Sequence, residues 1–209
     1  MEIRRHIETI FGPHVLIGSP FYDYKGGLRV KLSEGGHYLK QFLMAHRKGM
    51  EICEKVFASE QKIVVCLKIF GDTSLLSTLP VIRELNEMGL FFGKEKEHWT
   101  AFEEDWKDDE DYANCLWHYV AFNAPLELLP NILWCAFSSD FGVIQPNPGA
   151  RVYLFNLQKK IMVYPYDDRG MDIVGPNKVF LKELYDALNA YLLDYDRAAM
   201  DAVFLKFSP

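Results

Sequence analysis

Apolar and polar residues recur along the chain with two different periods, and these periods predict its helices and strands. Between Ile3 and Phe11 apolar residues recur at helical spacing, which predicts a short amphipathic helix. Strict alternation from Leu28 to Leu32 predicts a half-buried strand. The segment from about His37 to Phe57 places its apolar residues on one broad face, as a long helix covering a sheet does. Lys62 to Phe70 is almost entirely apolar and rich in β-branched residues, which predicts a central strand buried on both faces.

The middle of the chain continues this mixture of helices and strands. A helix is predicted from about Ser77 to Met88, where Gly89 supplies the stop. Alternation returns from Cys115 to Phe122 and predicts another strand. An apolar helix then runs from Leu126 to about Phe137.

The C-terminal third predicts a β-hairpin followed by two helices. The strands 151–157 and 160–167 are separated by two residues, which is typical of a hairpin. Asn177 is placed to cap a helix with one apolar stripe, and a last helix ends near Phe204. Because no repeat or linker interrupts the pattern, residues 1–209 are expected to form a single α+β domain. Its sheet is expected to be mixed or mainly antiparallel, with about five strands covered by helices.

Composition and charge restrict the classes of function. Hydrophobic residues make up 49% of the 209 residues and charged residues 25%, as in ordinary globular proteins. The net charge of −6 repels a phosphate backbone, so neither nucleic acid nor an anionic membrane surface is expected as a partner. No secretory signal or membrane span is predicted. We expect reduced, mostly buried thiols and a cytoplasmic location, because the cysteines lie far apart among apolar residues: Cys53, Cys66, Cys115 and Cys135.

Aspartates and arginines gather where the hairpin ends and where the last two helices meet. The candidate cluster comprises Asp167, Asp168, Arg169, Asp172, Asp194, Asp196 and Arg197. Such carboxylates could hold a divalent cation or activate water, and an arginine beside them could clamp a phosphate. Turn and cap chemistry accounts for every residue type without a ligand, so a structural role is favoured. We expect Arg169 to reach a carboxylate of the Asp194–Asp196 junction and to lock the last helices onto the sheet.

A second candidate is the acidic run from Glu103 to Asp111, in which only Trp106 and Lys107 are not acidic. Like charges repel one another, so a solvated loop is the favoured interpretation. The alternative is a docking surface for a basic protein, with neighbouring aromatic side chains as anchors. Its residues would be Trp99, Glu103, Glu104, Trp106, Asp108, Asp109 and Tyr112.

The remaining chemistry-bearing residues give no catalytic pattern. The six histidines include no pair at helical metal-ligand spacing, and the cysteines show no ligand spacing, so neither a tightly bound transition metal nor a cofactor is expected. His118, within a predicted strand, is expected to be a hydrogen-bonded core residue or a surface residue and not a general base. No catalytic residues are therefore predicted.

Two blocks of the C-terminal third resemble a known family. Tyr166-Asp167-Asp168-Arg169-Gly170-Met171-Asp172 and Leu193-Asp194-Tyr195-Asp196-Arg197 resemble the bacterial domain of unknown function 3885. The resemblance implies a bacterial, cytoplasmic protein and carries no activity. The hairpin-then-helix ending is also similar to that of immunity proteins that bind and neutralise toxins, a likeness of fold only.

Three functions are consistent with the sequence. The leading hypothesis is a non-enzymatic protein that binds another protein, in an immunity-like or regulatory role. The second is a metal-dependent or phosphate-dependent enzyme that uses the aspartates after the hairpin. The third is a module that binds a small ligand without chemistry.

Overall fold

A single antiparallel sheet organises the described part of the chain. The computed structural model describes residues 2–92, 95–102, 112 and 114–206. Their strands are β1 (Leu28–Lys31), β2 (Lys62–Asp72), β3 (Glu97–Ala101), β4 (Cys115–Pro125), β5 (Ala150–Asn156), β6 (Ile161–Asp167) and β7 (Gly170–Val174). These seven described strands have the order β1-β7-β6-β5-β2-β4-β3, so β1 and β3 lie at the edges.

Helices cover both faces of this sheet. The described α-helices are α1 (Glu2–Phe11), α2 (Pro20–Asp23), α3 (Tyr38–Val56), α4 (Leu79–Glu87), α5 (Leu129–Ser138), α6 (Lys178–Ala187) and α7 (Arg197–Phe204). The larger core lies between one face and helices α3 to α7, whereas α1 packs on the opposite face. None of the described helices combines the length and the apolar character needed to cross a membrane.

The apolar sequence of strand β2 matches its position in the interior of the sheet. It pairs with β4 on one side and β5 on the other, so its position in the interior of the sheet is confirmed. Ile63, Val65 and Leu67 face the larger core, and Val64 and Cys66 face α1. Because both faces are covered by helices, a nearly continuous apolar run is required here.

The α+β class is confirmed, whereas the expectation of about five strands was too low. The 151–157 and 160–167 strands pair as predicted, and Asn177 caps α6 by accepting a hydrogen bond from the backbone N–H of Phe180 at 3.1 Å. The two strands that the sequence did not predict are β3 and β7. β3 is a short edge strand that buries only part of one face, and β7 is separated from β6 by only two residues and begins within the aspartate-rich block that was predicted as a turn. The hairpin is therefore extended by β7 before the last helices begin.

Gly170 at the start of β7 is required by the close approach of a ring. The side chain of Tyr166 lies directly over Gly170, so an added Cβ would overlap the Tyr166 hydroxyl oxygen. The same Cβ would lie 3.0 Å from the carbonyl oxygen of Val30. This glycine therefore lets β6, β7 and β1 meet at one end of the sheet.

Three of the four cysteines are buried as predicted. Cys53, Cys66 and Cys135 lie in the cores, and Cys115, at the start of β4, is partly exposed. Burial raises the pKa of the Cys135 thiol to about 12, so this side chain packs as a small apolar group.

Candidate functional site

The residues of the candidate cluster separate into three local groups. Asp172 and Asp196 meet at Arg29 of β1, whose side chain is 11% exposed and which was not predicted as a site residue. Asp167, Asp168 and Arg169 occupy the turn between β6 and β7. The third group surrounds Arg197, at the start of α7. The first group brings together charged side chains that are distant in sequence.

Arg29 and Asp172 form a bidentate ion pair across two neighbouring strands. The register of β1 and β7 places the two residues directly opposite each other. Arg29 Nε donates to Asp172 Oδ1 at 2.7 Å, and Nη2 donates to Oδ2 at 3.0 Å. The Asp172 side chain is 0% exposed, and the backbone N–H of Phe21 donates a third hydrogen bond to it at 3.2 Å. Both carboxylate oxygens are therefore engaged within the protein.

A second carboxylate and three rings surround the same guanidinium. Asp196 Oδ2 lies 3.5 Å from Arg29 Nη1, and Tyr22 Oη donates to Asp196 Oδ1 at 3.3 Å. The rings of Phe21, Tyr22 and Tyr166 have centroids 4.5 to 5.1 Å from the guanidinium carbon. We call this group, formed by Arg29, Asp172, Asp196, Phe21, Tyr22 and Tyr166, the Arg29 centre. It ties α2 and the start of α7 to the sheet edge formed by β1.

Burial and ion pairing act in opposite directions on the Arg29 centre. Burial raises the pKa of the Asp172 carboxyl, and the hydrogen bonds from Arg29 offset part of that rise. Burial also lowers the pKa of Arg29, but the hydrogen bonds to Asp172 together with the charges of nearby acidic groups, chiefly Asp172, outweigh burial and raise that pKa overall. Each charged group is therefore held in the interior by the other.

The expected contact between Arg169 and the Asp194–Asp196 junction was wrong. Arg169 pairs with Asp167, two residues earlier, and its side chain is 77% exposed. Asp167 Oδ1 also accepts hydrogen bonds from the backbone N–H groups of Arg169 and Gly170, at 2.8 and 3.1 Å. The turn is therefore closed by an aspartate in the usual manner of turns. The two sequence blocks do meet in space, but through Arg29.

Asp168 has a partner of its own on the other side of the turn. Ser33 Oγ donates to Asp168 Oδ2 at 3.0 Å. Burial raises the pKa of Asp168, and the nearby Asp167 raises it further. The pKa of Asp140 is raised in the same manner, by burial and by the charges of Asp167 and Asp168. These carboxylates crowd one another, but Asp167 and Asp168 already accept hydrogen bonds within the protein.

The third group stabilises the junction of the last two helices. Arg197 Nε donates to Asp201 Oδ1 at 2.8 Å, and Tyr185 of α6 donates to the same carboxylate. Arg197 Nη2 also donates to Asn189 Oδ1 at 3.0 Å. Asp194 is exposed at the surface. Arg197 therefore connects α6 to α7.

The proposed docking residues lie mostly outside the described part of the chain. Those outside are Glu103, Glu104, Trp106, Asp108 and Asp109. Of the other two, Trp99 in β3 stacks on Tyr119 with ring centroids 5.2 Å apart, and Tyr112 lies 6.4 Å from Phe70 by the same measure. Both described aromatic residues thus contact strands at the β3 side of the sheet.

His118 is a hydrogen-bonded core residue, which is one of the two roles predicted for it. Its Nε2 lies 2.7 Å from the carbonyl oxygen of Asp72, which can only accept, so Nε2 carries a proton. Its Nδ1 lies 3.3 Å from Nε2 of His98 in β3, and the two rings are stacked. Burial lowers the pKa of His98, and the neighbouring His118 and Lys96 lower it further. The neutral form of the His98 ring is therefore favoured.

Comparison with known proteins gives one match. The profile of the family described as a domain of unknown function (DUF3885) matches residues 3–196. The chain belongs to this family. The match covers nearly the whole chain and includes Arg29, Asp172 and Asp196, so the Arg29 centre lies within the family domain. Neither the curated proteins nor the solved structures contain a match to the chain.

Replacing Arg29 by Ala should destabilise the protein far more than replacing Arg169 by Ala. Without Arg29 the buried Asp172 carboxylate loses its partner, and we expect a loss of about 3 to 5 kcal/mol in the free energy of unfolding. Arg29→Lys should recover only part of it, because an ammonium group cannot replace a planar fork. Arg169 is the matched control, because its exposed ion pair should contribute less than about 1 kcal/mol. Urea unfolding measures all three, and equal losses for the two alanine variants would contradict the assignment.

His98 should make the stability of the protein depend on pH. The folded protein lowers the pKa of His98. The stability that neutral His98 contributes is therefore fully present above the ordinary histidine pKa of about 6.5, and it is lost as the pH falls through the lower pKa of the folded protein. Melting temperatures between about pH 8 and pH 5 should therefore fall less steeply for His98→Gln than for the natural protein. His14→Gln, at an exposed position, is the control and should leave the pH profile unchanged. Identical profiles for all three proteins would exclude this role of His98.

Proposed function

We propose that this protein acts by binding another protein, a basic one, in an immunity-like or regulatory role in the bacterial cytoplasm. The observation that carries the proposal is the distribution of charge. The run from Glu103 to Asp111 holds seven acidic residues and one lysine, a balance of −6. The rest of the chain holds 22 acidic and 22 basic residues and is neutral. All of the net charge thus belongs to the connection between β3 and β4.

Such a concentration of charge favours encounter with a partner of opposite sign. A nine-residue segment with a balance of −6 raises the local concentration of cationic surfaces and increases the rate of association, an effect that salt weakens. Aromatic side chains that precede and follow the run in sequence, Trp99 and Tyr112, are of the type that anchors protein interfaces.

The internal hydrogen bonds of the aspartates favour binding over catalysis. Asp172 gives both oxygens to Arg29, and Asp167 gives both of its oxygens to Arg169 and to the turn that Arg169 and Gly170 complete. Asp168 accepts from Ser33. A metal ion or a substrate at these aspartates would have to displace bonds that hold β7, β1 and α2 together. An enzyme that used these aspartates would therefore lose stability when it bound its metal ion or substrate, whereas protein binding through another surface would not.

Neutralising the acidic run should weaken partner binding without destabilising the protein. The test variant carries Gln or Asn at Glu103, Glu104, Asp108 and Asp109. A matched control carries Gln at four exposed glutamates elsewhere, namely Glu54, Glu87, Glu127 and Glu183. Partners are first recovered by cross-linking in the cells that produce the protein, and each is then purified and its association rate is measured at several salt concentrations.

The expected result is an association rate about tenfold or more lower for the test variant, with a weaker salt dependence than that of the control. Melting temperatures should be close to that of the natural protein for both variants, because exposed charges contribute little to stability. If every purified candidate binds the test variant and the control equally well, charge-driven binding through the run is excluded.

A further inference from the structure

We infer that the partner binds as an extended strand along the outer edge of β3 and inserts one aliphatic side chain into the cleft beside Trp99. This inference rests on the proposed function and specifies its partner.

The two edges of the sheet differ. The edge at β1 is closed, because Val30 forms a β-bridge with Leu192 and the N–H of Leu193 donates to the carbonyl of Arg29 at 2.9 Å. At the opposite edge, β3 pairs with β4, and no other strand among the described residues pairs with it. A sheet edge of this kind presents backbone N–H and C=O groups that an added strand can bind.

An apolar cleft lies beside that edge, on the face covered by α1. Its volume is about 80 Å³, the size of a single aliphatic side chain, and it is lined mainly by Ile7, Val15, Leu16, Ile17, Trp99 and Ala101. The wall formed by Trp99 is fixed, because its ring is parallel to that of Tyr119 within 3°. Above the same ring lies the guanidinium of Arg4, at 5.1 Å from its centroid. The cleft is therefore already formed in the unbound protein.

Edge and cleft are placed to bind the same peptide. An added strand would lie about 4.8 Å from β3, and every second side chain would stand beside Trp99 and Ala101. Ile17 at the rim of the cleft is 46% exposed and would be covered by such a side chain. Backbone pairing would then supply affinity, and the cleft would select an aliphatic residue.

The charge of the neighbouring sequence defines the rest of the partner. Beyond Ala101 the chain enters the acidic run after a single residue, Phe102. A strand paired with β3 extends past Ala101 at one end, and lysine or arginine at that end is favoured by the −6 balance of the run. The partner segment is therefore an extended peptide with one aliphatic residue next to a basic stretch.

A displayed library of random ten-residue peptides tests the inference directly. Peptides selected on the natural protein should share an aliphatic residue followed or preceded by Lys or Arg. Two variants remove the cleft: Ala101→Leu fills it, and Ile17→Asp places a charge at its rim. Leu43→Asp is the matched control, since Leu43 is 55% exposed and lies on α3, on the opposite face of the sheet.

Selected peptides should bind each cleft variant at least about tenfold more weakly, a loss of about 1.4 kcal/mol, and should bind the control with unchanged affinity. Hydrogen exchange of the backbone amides of β3 should slow when peptide binds. Melting temperatures establish that each variant is folded, and Ile17→Asp, which leaves the sheet unchanged, provides the test if Ala101→Leu does not fold.

Selection of no peptide, or equal binding to the cleft variants, would overturn the inference. A partner that no longer binds the variant with the neutralised acidic run, but still binds the cleft variants, would also overturn the inference. That result would leave the proposed function intact. A partner that no longer binds the cleft variants, but still binds the variant with the neutralised acidic run, would instead support strand addition and exclude docking through charge.

Discussion

The buried ion pair between Arg29 and Asp172 is the interaction on which the rest of the structure depends. Its two residues are 143 positions apart, and neither charge can remain in the interior without the other. The pair fixes the register of β1 against β7, and the further bonds to Phe21 and Asp196 bring α2 and α7 to the same edge. A mispaired β1 would leave Asp172 without its guanidinium, so the pair specifies one arrangement of the sheet edge.

Local patterns in the sequence predicted the elements that depend on residues close together in the chain. The double burial of β2, the pairing of the 151–157 and 160–167 strands and the cap at Asn177 all follow from residues close together in sequence. Arg29 was not predicted, because a charged residue in an alternating strand ordinarily marks the solvent face. Here that face is covered by α2 and by Asp196, which come from distant parts of the chain. The sequence did contain one indication that a further basic partner was needed. The two C-terminal blocks together hold only two arginines, fewer than their aspartates.

The motif aspartates thus support the fold at the β1 edge of the sheet, and the recognition that we propose lies at the opposite edge. Asp167, Asp172 and Asp196 accept hydrogen bonds from side chains or turns around β1 and β7. The net charge of the chain belongs instead to the sequence that connects β3 to β4. Substitutions in that sequence would leave the residues of the Arg29 centre unchanged, as the proposed binding role requires.

The most direct test of this account is a double-mutant cycle on the Arg29–Asp172 pair. The free energy of unfolding is measured for the natural protein, Arg29→Ala, Asp172→Ala and the double variant. If the pair holds the fold, each single change leaves a buried charge unpaired, and the double variant should be more stable than the sum of the two losses predicts, by about 2 kcal/mol or more. Losses that add to within about 0.5 kcal/mol would show that the two residues act independently and would contradict the account.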